Sequence, residues 1–283
     1  MNNSLIYDIL GSVHTIIAGV TGSGKSVLLN DIIYTIITNY NDNECKLILC
    51  DPKRIEFAKY KNLPHVLHYG NDTQTILRAL RKAHELMEKR YRIAEDDVWN
   101  DTEFIPVYII VDELADLFLN CGKEGKALMQ SIAQKGRSAN IHMIVATQHP
   151  SRQQFPSFIQ DNFNTKIALH CDTPVQSKQI LGVSGAENLT VGNALAKVTG
   201  KSVYYTKVPY IELSEIRQVV EAIVEEHQKQ LESLMQPSES VSAPVQQTTT
   251  QGKHKSPVFA VLDVVKWLVL IPVLVIWKMW EDA

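Results

Sequence analysis

The sequence predicts an α/β protein in which helices cover both faces of a mostly parallel sheet, and three observations support this. Short apolar stretches typical of buried strands occur at residues 14–19, 46–50, 106–111, 141–147 and 166–171. Helical patterns lie between most of them, at residues 25–39, 73–95 and 123–135. A phosphate-loop motif joins the first such strand to the first such helix. This alternation of strands and helices is characteristic of a mostly parallel sheet.

The composition is that of an ordinary globular protein that can bury a large core. The 283 residues are 45% hydrophobic and 21% charged, with a formal net charge of −3. This balance excludes a disordered chain and argues against a histone-like polyanion binder, while a local basic groove stays compatible with it. The four cysteines have the spacing neither of a disulfide framework nor of a zinc site, so we expect them to be reduced and buried.

Composition divides the chain into three parts. Residues 1–233 carry the strands and helices and end in an amphipathic helix predicted at residues 214–234. Residues 234–256 are rich in Gln, Ser, Thr and Pro, which predicts a disordered linker. An apolar tract follows at residues 257–280.

That tract predicts a membrane-anchoring or transmembrane helix. Its charge-free part, residues 267–276, is about half as long as a spanning helix, and a longer count includes Asp263 and Lys266. Tryptophans near its ends are typical of membrane interfaces. Spanning the membrane and lying in its interface therefore both stay open, with a core or partner-binding helix as the remaining alternative.

The sequence GVTGSGKS matches the phosphate-loop pattern GxxxxGK[ST] between a strand and a helix. Backbone N–H groups of such a loop bind phosphates, its lysine places a positive charge near the β- and γ-phosphates, and its serine ligates Mg²⁺. We therefore predict that ATP is bound by Gly19, Val20, Thr21, Gly22, Ser23, Gly24, Lys25 and Ser26.

Polar residues that follow two further strands predict a hydrolytic site. Asp112 and Glu113 follow the apolar stretch VYIIV, so the first carboxylate is expected to reach Mg²⁺ and the second to polarise the attacking water. Gln148 follows residues 141–147, at a strand end that faces the ligand crevice of parallel sheets. We expect Gln148 to sense the γ-phosphate, with a hydrogen bond to a neighbouring loop as the alternative.

Seven blocks of the sequence occur in the order known from one family of motors. They are AGVTGSGKSVLLN, DPKRIEF, NLPHVL, MEKRY, VDELADL, AQKGRSANIHMIVATQHPS and SKQILGVSGAENL, and they lie within residues 5–225. This region resembles the FtsK/SpoIIIE motor domain. The resemblance implies a RecA-like P-loop ATPase that forms a ring, a hexamer, and pumps double-stranded DNA through its centre. It also implies that Arg137, otherwise typical of solvated surface, is presented to the nucleotide of the neighbouring subunit.

The chain departs from the family pattern at positions expected to face DNA. It has TQHPS where TQRPS is usual and TKIAL where TRIAF is usual, and Gln160 and Pro174 stand where a basic residue is usual. Arg152, Lys166 and Lys178 remain as candidate DNA contacts, because Lys and Arg contacts with phosphates supply most non-specific affinity. Single-stranded DNA is the alternative substrate.

These observations predict an ATP-dependent DNA translocase of the FtsK/SpoIIIE type that uses ATP and Mg²⁺. The N-terminus carries a phosphate loop and no signal-peptide pattern, so we expect the motor at the cytoplasmic face of the cell membrane, held by its C-terminal helix. The compact architecture suits a mobile genetic element. Two alternatives stay open: a phage assembly or genome-packaging ATPase, and a non-motor membrane scaffold that is regulated by nucleotide.

Overall fold

Each of the five predicted apolar stretches contributes one strand to an eight-stranded sheet. The computed structural model describes residues 4–97, 102–148 and 156–235, all within the first of two units into which the chain divides, Met1–Gln236. The strands are β1 (His14–Ala18), β2 (Lys46–Cys50), β3 (Val66–Gly70), β4 (Val107–Val111), β5 (Ile141–Thr147), β6 (Thr165–Ala168), β7 (Asn193–Lys197) and β8 (Tyr204–Lys207).

The sheet has the order β3-β2-β4-β5-β1-β6-β7-β8. The pairs from β3 to β6 are parallel, whereas β7 and β8 add an antiparallel edge. The predicted fold class, α/β with a mostly parallel sheet between helices, is confirmed. Parallel strands end on the same side of the sheet, which is its carboxyl edge. The residues that follow β1, β2, β4 and β5 therefore lie close together at this edge.

Seven helices occur in the described residues. They are α1 (Ser4–Leu10), α2 (Lys25–Asn39), α3 (Thr73–Asp96), α4 (Leu114–Lys135), α5 (Ser157–Asn162), α6 (Pro174–Leu181) and α7 (Leu213–Met235). α3 begins with a capping box in which Asp72 accepts from the backbone N–H of Thr75, which satisfies N–H groups that a helix start leaves unpaired. The predicted linker began at residue 234, but residues 234 and 235 belong to α7.

Successive strand residues point into two different hydrophobic cores. Ile17 packs into a core with residues of α1, α2 and α7, whereas Ile16 packs into one with residues of α3, α4 and α5. Both faces of the central strands are therefore buried, which explains why these strands are continuous apolar stretches. The four cysteines are free and buried, Cys45, Cys50 and Cys121 in these two cores and Cys171 in a smaller third cluster.

No helix in residues 4–97, 102–148 and 156–235 is both long and apolar enough to cross a bilayer. The apolar tract at residues 257–280, on which the membrane prediction rests, lies outside the described residues, as does the remainder of the predicted linker.

Candidate active site

The phosphate loop occupies the turn between β1 and α2. Gly24, the residue before α2, has φ 102°, a left-handed conformation that residues with a Cβ rarely adopt. The loop is tied to β5, because the backbone N–H of Gly19 donates to the carbonyl oxygen of Thr147 at 3.2 Å. The N-terminus of α2 is thereby fixed at the carboxyl edge of the sheet, where its free N–H groups can bind phosphates.

Lys25 begins α2 and is only 6% exposed. Burial lowers the pKa of its ammonium group, while the negative charges of Glu113 and Asp112 act in the opposite direction. A buried lysine at the start of the helix that follows a phosphate loop is placed to bind a phosphate anion.

Asp112 follows β4 and is 6% exposed. Its backbone N–H donates to the carbonyl oxygen of Cys50 at 3.1 Å, which fixes the residue against the end of β2. Burial raises the pKa of Asp112 to about 6, and the charges of Glu56 and Asp51 add to this effect. A cation at the site would favour the ionised carboxylate.

Glu113 is the least exposed of the predicted catalytic residues, at 2%. Its two carboxylate oxygens accept from the backbone N–H of Gln148 at 3.2 and 3.1 Å. The ammonium group of Lys53 lies 3.5 Å from Glu113 Oε2. The carboxylate is thus held between the end of β5 and a cation from the β2 loop.

Gln148 connects the phosphate loop with the acidic pair. Its side-chain Oε1 accepts from the Thr21 hydroxyl at 2.8 Å, and its backbone N–H binds Glu113. This contact is the hydrogen bond to a neighbouring loop that the sequence left as an alternative, so γ-phosphate sensing stays a prediction. The structure brings together the phosphate loop, Asp112, Glu113 and Gln148, as the sequence predicted.

The loop at residues 51–57, directly after β2, forms another wall of the site. Asp51 is fully buried, and its carboxylate accepts from the backbone N–H groups of Ile55 at 3.2 Å and Phe57 at 3.0 Å. One side chain therefore determines the shape of the loop.

Two side chains of this loop, those of Lys53 and Glu56, reach the predicted site. The motifs of the sequence predicted a role for neither. Lys53 pairs with Glu113, and Glu56 Oε1 accepts from the Ser26 hydroxyl at 2.8 Å. The sequence signal that could have found them is the position of DPKRIEF directly after an apolar strand. Both contacts depend on the order of the strands in the sheet, in which β4 lies beside β2, and the sequence alone does not establish this order.

Ser26 and Asp112 are the residues predicted to hold Mg²⁺. In the described part of the chain no three His, Cys, Asp or Glu are grouped as a metal site. One hydroxyl and one carboxylate beside a phosphate loop fit Mg²⁺, which is usually held by one or two protein oxygens together with waters and substrate phosphates.

Arg137 lies away from these residues. It is exposed in the 3₁₀ turn Gly136–Ala139, directly before β5, and so at the amino edge of the sheet. The seven residues of β5 separate it from Gln148, a length of roughly 20 Å. Arg137 therefore does not belong to the site of its own chain.

Of the predicted DNA contacts, the structure describes Lys166 and Lys178. Lys166 in β6 is half-buried, and its Nζ donates to the carbonyl oxygen of Gln160 at 3.3 Å. Burial lowers the pKa of Lys166, and the charge of Lys197 adds to this. Lys178 is exposed on α6, and Arg152 lies outside the described residues.

Known proteins share the sequence features of this site. The model of the FtsK/SpoIIIE family matches residues 1–105 and 93–152, and together these cover more than half of the 283 residues. The chain belongs to the FtsK/SpoIIIE family. The phosphate loop, the acidic pair and Gln148 all lie within the region that the FtsK/SpoIIIE model matches.

Relatives in this family are named DNA translocase FtsK. The protein from Chlorobaculum tepidum is 34% identical over 244 residues, which cover 78% of this chain and 30% of the relative. That from Staphylococcus aureus (strain COL) is 34% identical over 250 residues, which cover 81% of this chain and 32% of the relative. The chain spans about a third of the length of these relatives.

Solved structures of other proteins share the fold at lower identity. The pCW3 conjugation coupling protein TcpA, in a monomer form with ATPγS, has a TM-score of 0.66 and 18% identity, covering 77% of this chain and 66% of TcpA. ATPases 2 and 3 of EssC from Geobacillus thermodenitrificans have a TM-score of 0.68 and 16% identity, covering 78% and 45%. These matches confirm the P-loop ATPase fold.

Proposed function

We propose that this chain is an ATP-dependent DNA translocase, with double-stranded DNA as its substrate. The observation that carries the proposal is the meeting of the phosphate loop, Asp112, Glu113 and Gln148 at one edge of the sheet. Family membership and relatives named DNA translocases support DNA as the moved polymer.

The residues of the site suit hydrolysis of ATP. Lys25 places a buried positive charge at the phosphate loop, and Gln148 orients the carboxylate of Glu113. Glu113 can then accept a proton from an attacking water. Mg²⁺, held by Ser26 and Asp112 when bound, would neutralise phosphate charge.

The placement of Glu113 favours a motor over a nucleotide-regulated scaffold. A carboxylate that is 2% exposed costs free energy to desolvate. Binding of nucleotide needs no such group, whereas activation of water does.

A ring of subunits gives Arg137 a function. Because it is exposed at the edge opposite its own phosphate loop, it can complete only the site of a neighbouring chain. We take the ring to be a hexamer, with Arg137 stabilising negative charge on the neighbour's nucleotide during hydrolysis.

The tract at residues 257–280 is the proposed membrane tether, with the motor on the cytoplasmic side. Fractionation of cells that express the full chain tests the tether. We expect the protein to stay with membranes in carbonate and to become soluble when residues 257–283 are removed. Release of the full chain by carbonate would contradict a spanning helix, and its recovery without membranes would contradict the tether.

ATP hydrolysis by the full chain tests the motor proposal, when measured without DNA, with duplex DNA and with single-stranded DNA. We expect the strongest stimulation by duplex DNA, loss of nucleotide binding or turnover in Lys25→Ala, and turnover about 10²–10⁴ times slower in Glu113→Gln with ATP binding kept. Equal rates in all three conditions would contradict a DNA motor. Wild-type turnover in Glu113→Gln would remove that residue from the role of base.

A further inference from the structure

The hydrogen bond between Ser26 and Glu56 determines how the serine hydroxyl is oriented. A hydroxyl has one proton and two lone pairs, and an ionised carboxylate can only accept. The Ser26 proton therefore points to Glu56 Oε1, 2.8 Å away. The lone pairs of Ser26 Oγ are then directed away from Glu56, where they are free to ligate a cation.

The loop holds Glu56 in place from several directions. The buried Asp51 carboxylate accepts from the N–H groups of Ile55 and Phe57, the residues on both sides of Glu56. Phe57 is fully buried, and Lys59 Nζ donates to the backbone oxygen of Glu56 at 2.7 Å. The contact with Ser26 thus comes from a fixed backbone and not from a free surface side chain.

The charge of Glu56 also acts on the predicted metal site. Its negative charge and that of Asp51 both act on the buried Asp112. Three carboxylates close enough to repel one another cost free energy, and a divalent cation would offset that repulsion.

From this geometry we propose that Glu56 is a positioning residue for Mg²⁺: it holds the Ser26 proton and so turns the serine oxygen toward the metal of a bound Mg²⁺–nucleotide. The inference rests on the proposed function, because it concerns the same ATP site. Residues that orient a metal ligand typically contribute 10–100-fold to metal affinity.

The Mg²⁺ affinity of the full chain tests this role without hydrolysis and without DNA. A fluorescent ATPγS derivative is bound first in metal-free buffer without chelator, and Mg²⁺ is then titrated while fluorescence is recorded. We expect Glu56→Ala to raise the Kd for Mg²⁺ by about 10–100-fold, with metal-free nucleotide affinity within about twofold of wild type. Glu56→Gln should lose less Mg²⁺ affinity than Glu56→Ala, because its amide oxygen still accepts the Ser26 proton. Glu221→Ala, which removes an exposed charge on α7, serves as the control and should match wild type.

A double-mutant cycle with Ser26→Ala separates positioning from a direct or purely electrostatic effect. If Glu56 acts mainly through Ser26, Glu56→Ala should cause a clearly smaller loss of Mg²⁺ affinity in the Ser26→Ala background than in wild type. An equal loss in both backgrounds, or an Mg²⁺ affinity of Glu56→Ala and Glu56→Gln within twofold of wild type, would overturn the inference. A wild-type chain that binds no nucleotide would overturn the proposed function as well.

Discussion

Lys53 is the described cation closest to the buried Glu113, and its ion pair is partly shielded from water. Its side chain is 34% exposed, against 3% for Glu113. Removal of one partner leaves a buried carboxylate without its cation, so we expect Lys53→Met to lower the free energy of unfolding by about 1–3 kcal/mol. Urea unfolding at pH 7.5 measures it.

Two comparisons make the Lys53 prediction specific. Lys135→Met breaks an exposed pair with Glu88 and should cost less than about 1 kcal/mol. In the Glu113→Gln background, Lys53→Met should lower the free energy of unfolding much less than in wild type, because residue 113 then carries no buried charge. An equal cost in both backgrounds would show that Lys53 does not stabilise Glu113.

Asp31 on α2 predicts a pH dependence of stability. It is 2% exposed, its Oδ2 has no hydrogen-bond partner among the described residues, and burial raises the pKa of Asp31 to about 6. In the unfolded chain the pKa is about 3.9. Protonation of Asp31 therefore stabilises the folded chain. This stabilisation is fully present below about pH 4 and is lost as pH rises through about 6.

Asp31→Asn removes this titration. Between pH 5 and pH 7.5 wild type should lose about 1 kcal/mol of stability relative to Asp31→Asn. Thermal or urea unfolding at the two pH values measures it, with Asp172→Asn, at an exposed position, as the control. A stability difference between wild type and Asp31→Asn that is the same at both pH values would contradict a raised pKa of Asp31.

Helix α4 contains a bend at Gly122. Gly122 has φ 56° and ψ −140°, within a helix that otherwise runs from Leu114 to Lys135. A Cβ at Gly122 would meet nothing within 4 Å, so the constraint comes from the backbone and not from a clash. The predicted helix at residues 123–135 is the part of α4 after this bend.

Gly122→Ala should destabilise the protein by about 1–3 kcal/mol, because an alanine must adopt a strained backbone or straighten the helix. Lys123→Ala, at the neighbouring exposed position, should change stability by less than about 0.5 kcal/mol. Urea unfolding of both variants measures the difference. Gly122→Ala at or above wild-type stability would contradict the bend.

Elements with a continuous apolar or helical pattern were predictable from the sequence, and strands without such a pattern were not. The sequence predicted β2, β5 and α2 with the bounds that the structure has, because both faces of the strands are buried and the helix follows the phosphate loop. It missed β3, β7 and β8. β3 contains the polar His68, and the antiparallel β7 and β8 are short and partly exposed, so their residues form no continuous apolar stretch.

The candidate site shows the same division. Four site residues are marked by a predicted strand and a local motif, so their proximity could be predicted. They are Lys25, Asp112, Glu113 and Gln148. Glu56 contacts Ser26 from another loop, 30 positions along the chain. Such a contact depends on how strands are ordered in the sheet, which hydrophobic pattern alone does not determine.

At the scale of the whole molecule, the position of Arg137 predicts that sites are completed between chains. Arg137→Ala and Glu113→Gln should each hydrolyse ATP slowly alone, but a mixture should recover activity, because some interfaces then pair an intact Arg137 with an intact Glu113. Phosphate release on mixing measures this recovery, and wild-type hydrolysis should depend on protein concentration. Absence of recovery, or wild-type turnover in Arg137→Ala with the ring still formed, would contradict the trans role.

Displacement of a third strand from duplex DNA tests movement along DNA most directly. The full chain is added to a duplex that carries a triplex-forming oligonucleotide, and release of the oligonucleotide is followed with ATP and with ATPγS. We expect wild type to release the oligonucleotide with ATP only, and Glu113→Gln, which still binds ATP, to release none. Hydrolysis that duplex DNA stimulates without any release of the oligonucleotide would contradict a translocase.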